Sequence, residues 1–204
     1  PKPCLVSGQE LGMRLTQPQV WKQDYLMPFQ RYKKLDGVRT LQGLITTIDP
    51  ERSTVTVKLQ DDSEQVEHYD ALVISSGVTN GFWRNNRLED IESINQTIDG
   101  AAKKLLRAHS VAIIGGGATG VSVAVNLAAR YREKSVHFFF SEPQPLPGYH
   151  PRVRASVEQH LRQVGVNLYP GHRAIIPAGF HCDRFTCEPI EWSSGQDRFS
   201  ADLT

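Results

Sequence analysis

At 204 residues, 39% of them hydrophobic, the chain is long enough to bury one sizeable core or two small ones. With 23 basic against 22 acidic residues, its formal charge of +1 gives no electrostatic case for nucleic acid or an anionic membrane as main partner. No run approaches the roughly 20 apolar residues that a membrane-spanning helix needs, and Cys4, Cys182 and Cys187 form no disulfide framework, which points to a reducing compartment, the cytoplasm.

Residue 1 is proline and no signal peptide precedes it, so the chain reads as cut from something longer. From Pro18 to Leu35 the residues Val20, Trp21, Leu26, Phe29, Tyr32 and Leu35 recur at helical spacing, and Asp36-Gly37 supplies a stop; this predicts a helix. Beyond it, "IDPERS" and "QDDSEQ" break β-branched runs, which predicts two or three short antiparallel strands. A buried strand from Ala71 to Ser75, ending at Gly77, should follow. Residues 79 to 100 are polar and irregular and read as a linker, and Ala101 to Ala108 as a short helix.

The second half alternates differently. Strands are predicted over Val111 to Ile114, Val136 to Phe140 and Val166 to Tyr169, with helices over Thr119 to Tyr131 and Pro151 to Val164. Pro151 suits a first helical turn and Gly165 a helix end. This β-α-β-α-β order implies an α/β unit: a parallel sheet with right-handed crossovers. The tail, Ile175 to Thr204, reads as an antiparallel meander with a turn at "SSGQD". There is no internal repeat and no low-complexity segment.

"VAIIGGGATGVSVAVNLA", residues 111 to 128, carries the chemistry. Gly115-x-Gly117-x-x-Gly120 lies directly after a strand and opens a helix. The first glycine permits a sharp turn, the second a close backbone approach to a pyrophosphate, and the third tight packing of helix on strand. Phosphate then meets the free N–H groups and positive dipole end of the helix, so Gly115, Gly117, Ala118, Thr119 and Gly120 are candidate pyrophosphate ligands. No Gly-Lys-Ser/Thr follows, which excludes a triphosphate P-loop. A carboxylate near the end of the second strand should bind the adenosine ribose hydroxyls. That strand ends "HFFFSEPQPLPG", leaving Glu142 as the candidate; the absence of an arginine directly after it favours NADH over NADPH.

Together these residues resemble the FAD-dependent pyridine nucleotide-disulfide oxidoreductase superfamily, in particular its type II NADH:quinone oxidoreductase, ferredoxin reductase and apoptosis-inducing-factor-like branches. Three stretches carry the likeness: "GLITTIDPERSTVTV", "HYDALVISSG", and "VAIIGGGATGVSVA" with the later "LPG" at residues 146 to 148. The resemblance implies a Rossmann-like NAD(P)H-binding domain over residues 108–204, preceded by part of an FAD-binding domain with linker over residues 1–107. It also implies that Ile45, Ser75, Ser76 and Gly77 line the adenine and pyrophosphate end of FAD. The implied function is an FAD enzyme passing hydride from NADH or NADPH to flavin and on to an acceptor, a quinone or a small redox protein. Where the family carries glutamate, two residues after the last glycine, this chain has Ser122, and its acidic ribose position falls on Phe140. Those departures support an alternative, a nucleotide-binding or sensing module without efficient turnover. The family's first glycine motif and carboxy-terminal segment are absent, so the chain is expected to carry no flavin by itself. Its open sheet edges should favour a homodimer.

Other patterns are expected to be structural. Cys182-x-x-x-x-Cys187 has a redox spacing in the wrong domain, and His181 beside it lacks a fourth ligand for zinc. Tyr131-x-x-Lys134 reads as a basic helix end, His68 and His109 as surface residues, and Trp21, Trp83 and Trp192 as anchors of core or loops. No catalytic triad and no metal site are expected.

Overall fold

The computed structural model describes residues 4–6, 11–77, 87–180 and 184–204. Its centre is the predicted β-α-β-α-β unit. Strands β6 (Ser110–Ile114), β7 (Ser135–Phe140) and β8 (Asn167–Pro170) pair in parallel in the order β6-β7-β8. Helices α4 (Ala118–Arg130) and α5 (Pro151–Gln163) form the crossovers. The period-2 pattern of β7 sorts its side chains onto two faces. Val136, Phe138 and Phe140 turn to the helices and join a core with Val123, Ala124, Leu127 and Leu161. Phe139 turns the other way, into a cluster with Ala112, Ile190, Trp192 and Ala201, against which Phe199 packs. Its ring stacks on Tyr169 at 4.4 Å and on Trp192 at 4.6 Å between centroids.

The tail supplies that second layer, though more loosely than the predicted meander. Antiparallel pairing shrinks to single bridges, Ala174 to Trp192 and Ile190 to Phe199, around a turn at 193–195. Its end then crosses to the outer edge of β6, where Leu203 bridges Val111 in parallel. Asp202 fastens this return, its carboxylate accepting from the His109 and Ser110 N–H groups at 2.7 and 2.9 Å. These donors, Ser110 first, hold the Asp202 carboxyl below the usual carboxylate range. A lowered folded-state value means stability that is complete above the unfolded value, about 3.9, and lost as pH falls through the folded one. Asp202→Asn should therefore lower the melting temperature near neutrality and lessen its fall between about pH 5 and pH 2. Parallel pH curves for the two proteins would contradict this.

The first half departs from expectation at three places. The predicted helix over Pro18 to Leu35 is broken. A short α2 (Pro18–Val20) and a π turn (Trp21–Tyr25) give way to strand β2 (Leu26–Pro28), followed by 3-10 turns. Pro28 has no N–H to donate and biases Met27 towards extended geometry, so the helix cannot pass through. β2 pairs instead with β1 (Cys4–Val6). The predicted buried strand Ala71 to Ser75 is irregular, with Val73 87% and Ile74 68% exposed. No strand among the described residues pairs with it, and an unpaired strand leaves its backbone unsatisfied. The third departure is the linker. Residues 91–107 form one helix, α3 (Ile91–Arg107), capped by Asp90, which accepts from the Ser93 N–H at 2.7 Å. Ile94, Ile98, Ala101 and Leu105 recur three and four apart and bury one stripe; the polar residues lie on the other face.

Between those departures, β3 (Leu44–Asp49), β4 (Thr54–Lys58) and β5 (Glu64–His68) form the predicted antiparallel meander. α1 (Leu11–Thr16) packs onto α4 and also against α3, so one buried cluster includes Leu15, Ile98, Leu105 and Val123. Lys134 turns out to be more than a basic helix end. Its side chain is buried, and Nζ donates to the Leu106 and Ala108 carbonyls at 3.1 and 2.6 Å, capping the negative end of α3.

Candidate functional site

β6 runs into the glycine turn as the spacing predicts. Gly115 has φ +113°, a value that L side chains rarely adopt, and its N–H still donates to the Phe139 carbonyl at 2.9 Å. The chain thus leaves the sheet sharply without losing its last ladder bond. Gly117 stands at the residue before α4 with extended backbone and no side chain to cap the helix. The first intrahelical bond across the cap runs from the Val121 N–H to the Gly117 carbonyl. The N–H groups of Ala118, Thr119 and Gly120 therefore have no intrahelical acceptor and make up the positive end of the helix dipole.

The three glycines differ in what surrounds them. A Cβ at Gly117 would meet nothing within 4 Å, so the space in front of the helix is open. A Cβ at Gly120 would come nearer than 3.0 Å to the Gly115 carbonyl oxygen, with Phe138 Cε2 at 3.0 Å behind it. A Cβ at Gly116 would lie 2.7 Å from Phe140 Cβ. Gly115, Gly116 and Gly120 shape the cradle, while Gly117 leaves it accessible to an anion. On this observation the residues fit a dinucleotide pyrophosphate.

Phe140, at the position where the resemblance wanted an acid, is buried against Gly116. Glu142 is exposed two residues further on, in the loop between β7 and α5. That loop carries a feature absent from the sequence reading. Leu146 adopts φ +59° although its side chain is buried, a conformation costing an L residue roughly 1–2 kcal/mol. Its N–H donates to the Gly116 carbonyl at 2.7 Å, so the loop is tied to the glycine turn. Ser122 lies on α4 beneath α1; a Cβ at Gly12 would meet its backbone carbonyl, so the two helices are in near backbone contact.

Along the outer flank of β6 lies an apolar cavity of about 780 Å³, lined by Ile113, Ile114, Leu15, Ile175, Ile176 and Phe180 among others. It adjoins the carboxyl end of a parallel strand, where ligands of open α/β sheets enter. The four FAD candidates are not gathered into a pocket. Ile45 is 56% exposed on β3, and Ser75, Ser76 and Gly77 are exposed, irregular backbone. None of them lines the cavity. Among the described residues they do not fit an FAD cradle.

Trp21 and Trp192 are buried in the cores, and His68 and His109 are exposed. Cys187 is exposed; Cys182, His181 and Trp83 lie outside the described residues. No helix among the described residues is long and apolar enough to cross a membrane.

Residues 12–179 match the sequence profile of the Pyridine nucleotide-disulphide oxidoreductase family, and the chain belongs to that family. "Ferroptosis suppressor protein 1" of Taeniopygia guttata is 30% identical over 142 residues, which is 69% of this chain and 37% of that protein. A type II NADH:quinone oxidoreductase of Mycobacterium tuberculosis is 27% identical over 168 residues, 67% of this chain and 36% of its own. Among solved structures, the water-forming NADH oxidase from Lactobacillus brevis bound to NADH superposes with a TM-score of 0.68 at 19% identity. It covers 97% of this chain and 44% of its own length, and shows the fold. The chain spans 37% and 36% of the length of those two curated relatives.

Proposed function

We propose that residues 108–204 are an NAD(P)H-binding domain and residues 1–107 part of an FAD-binding domain whose described residues do not cradle FAD by themselves. The whole protein would be a cytoplasmic oxidoreductase that passes hydride from NADH to FAD and on to a quinone or a small redox protein. The quinone suggestion rests on the name of the Mycobacterium tuberculosis relative. One observation carries the reading: the glycine turn delivers open space at Gly117 to the uncapped amino end of α4. A dinucleotide supplies the hydride; the protein's part is to hold and orient it. The N–H groups of Ala118, Thr119 and Gly120 hold the pyrophosphate, Glu142 accepts from the adenosine ribose hydroxyls, and the apolar cavity beyond Ile114 takes the nicotinamide end.

Nucleotide preference tests this. A 2′-phosphate brings negative charge against Glu142, so NADH should bind at least tenfold more tightly than NADPH. Glu142→Ala should erase that preference with little change in NADH affinity beyond about threefold. Calorimetric titration of both nucleotides into both proteins measures it. Equal affinities in the unaltered chain would take Glu142 out of the site, and no binding of either nucleotide would sink the reading.

A further inference from the structure

We infer that Arg154 is a positioning residue that locks the loop between β7 and α5 against the glycine turn and so sets nucleotide discrimination at the ribose. The inference rests on the dinucleotide reading above. Arg154 lies in the first turns of α5 and is half-buried. Its Nε donates to the Pro145 carbonyl at 3.2 Å and its Nη2 to the Gln144 carbonyl at 3.1 Å. One guanidinium thus grips two successive carbonyls, a match for its planar fork that a lysine cannot reproduce.

These are the carbonyls directly before Leu146, the residue held at φ +59°. Leu146 in turn donates to Gly116. A second tie runs beside the first: Gln144 Nε2 donates to Glu158 at 3.0 Å, and Arg162 holds the same carboxylate at 2.9 Å. A buried, left-handed leucine persists only where its surroundings over-determine it, and such residues gather at ligand clamps. Here the surroundings are the turn on one side and α5 on the other. Glu142 lies just upstream of the gripped residues, so the direction of its carboxylate depends on this grip. With both Nε and Nη2 engaged on the loop, the Arg154 guanidinium is committed to backbone carbonyls and is not offered to a 2′-phosphate.

The test combines hydrogen exchange with nucleotide titration on the 204-residue chain, comparing Arg154→Ala, Arg154→Lys and the unaltered protein. Arg154→Ala should speed exchange at least tenfold across residues 141–149 while the β6 and β7 amides stay protected. It should also bring NADH and NADPH to within about threefold of each other, with NADH affinity itself changed by no more than about threefold, as for Glu142→Ala. Arg154→Lys should recover part of the discrimination. Loss of melting temperature alone, with the NADH to NADPH ratio intact, would show a merely structural residue and overturn the inference. So would unchanged exchange in the loop. If the unaltered chain bound neither nucleotide, the specificity role would fall with the dinucleotide reading, whatever the loop amides did. Normal NADH binding with an unmoved ratio in Arg154→Ala would refute the inference alone.

Discussion

Gly120→Ala is expected to lower the stability of the chain by about 3 kcal/mol and to abolish NADH binding together with it. The added methyl group would come nearer than 3.0 Å to the Gly115 carbonyl oxygen, and behind it stands Phe138 Cε2 at 3.0 Å. Neither side gives easily. One is backbone already turned to φ +113°, and the other is a ring with no exposed surface. The helix must therefore lift away from the sheet, carrying the N–H groups of Ala118 and Thr119 out of register with any pyrophosphate. Gly117→Ala is the matched comparison. Its Cβ would meet nothing within 4 Å, so the melting transition should hardly move, while the methyl group fills the space that a phosphate needs. Urea denaturation and NADH titration of the two variants separate packing from binding. Equal stability for the two would mean that Gly120 does not carry the helix contact.

Phe138→Ala should cost about 3–5 kcal/mol, the range for deleting a buried aromatic ring. Phe138 is 0% exposed, lies 5.2 Å from the Phe140 ring between centroids, and faces Gly120. Its removal opens a cavity at the one place where β7, α4 and the turn converge, and rigid backbone on each side limits collapse. Against a total of about 5–15 kcal/mol for a typical domain, that is a large share. Val73→Ala, at an 87% exposed site in the segment predicted to be buried, should change stability by less than about 0.5 kcal/mol. Chemical denaturation checks the pair, and a similar loss in both would mean that residues 71–77 pack in solution.

The contrast between those two positions shows what could be read in advance. The parallel unit was legible because its strands centre on apolar runs short enough to exclude a helix, and because the glycine spacing falls between one strand and one helix. Val73 misled for a physical reason: an apolar run encodes a wish for burial but not the strand that would pair with it. In α3 the opposite happened. Asp90, Ile91, Ile94 and Ile98 hold the cap and stripe of a helix, but the polar residues between them made the stretch look like a linker. In the segment from Pro18, helical spacing was real and Pro28 overruled it. Within the candidate site, the sharp turn at Gly115 and the close packing at Gly120 were legible because both follow from backbone sterics alone. Leu146 and Arg154 were not, since a left-handed leucine and an arginine gripping two carbonyls leave no periodic trace. What they do depends on a loop whose path is set by tertiary contacts.

The return of Asp202 to the edge of β6 has a consequence for the chain while it is being made. Ser110 and the aspartate that covers it are 92 positions apart, which at a translation rate of about 5–20 residues per second corresponds to roughly 5–18 seconds of synthesis. For that interval β6 can pair with β7 on one side only, and its other edge offers unpaired backbone to any extended segment nearby, on the same ribosome or the next. The nascent protein's exposure to misassembly is thus set by the distance along the message between two short segments, rather than by the strength of the bond that finally joins them.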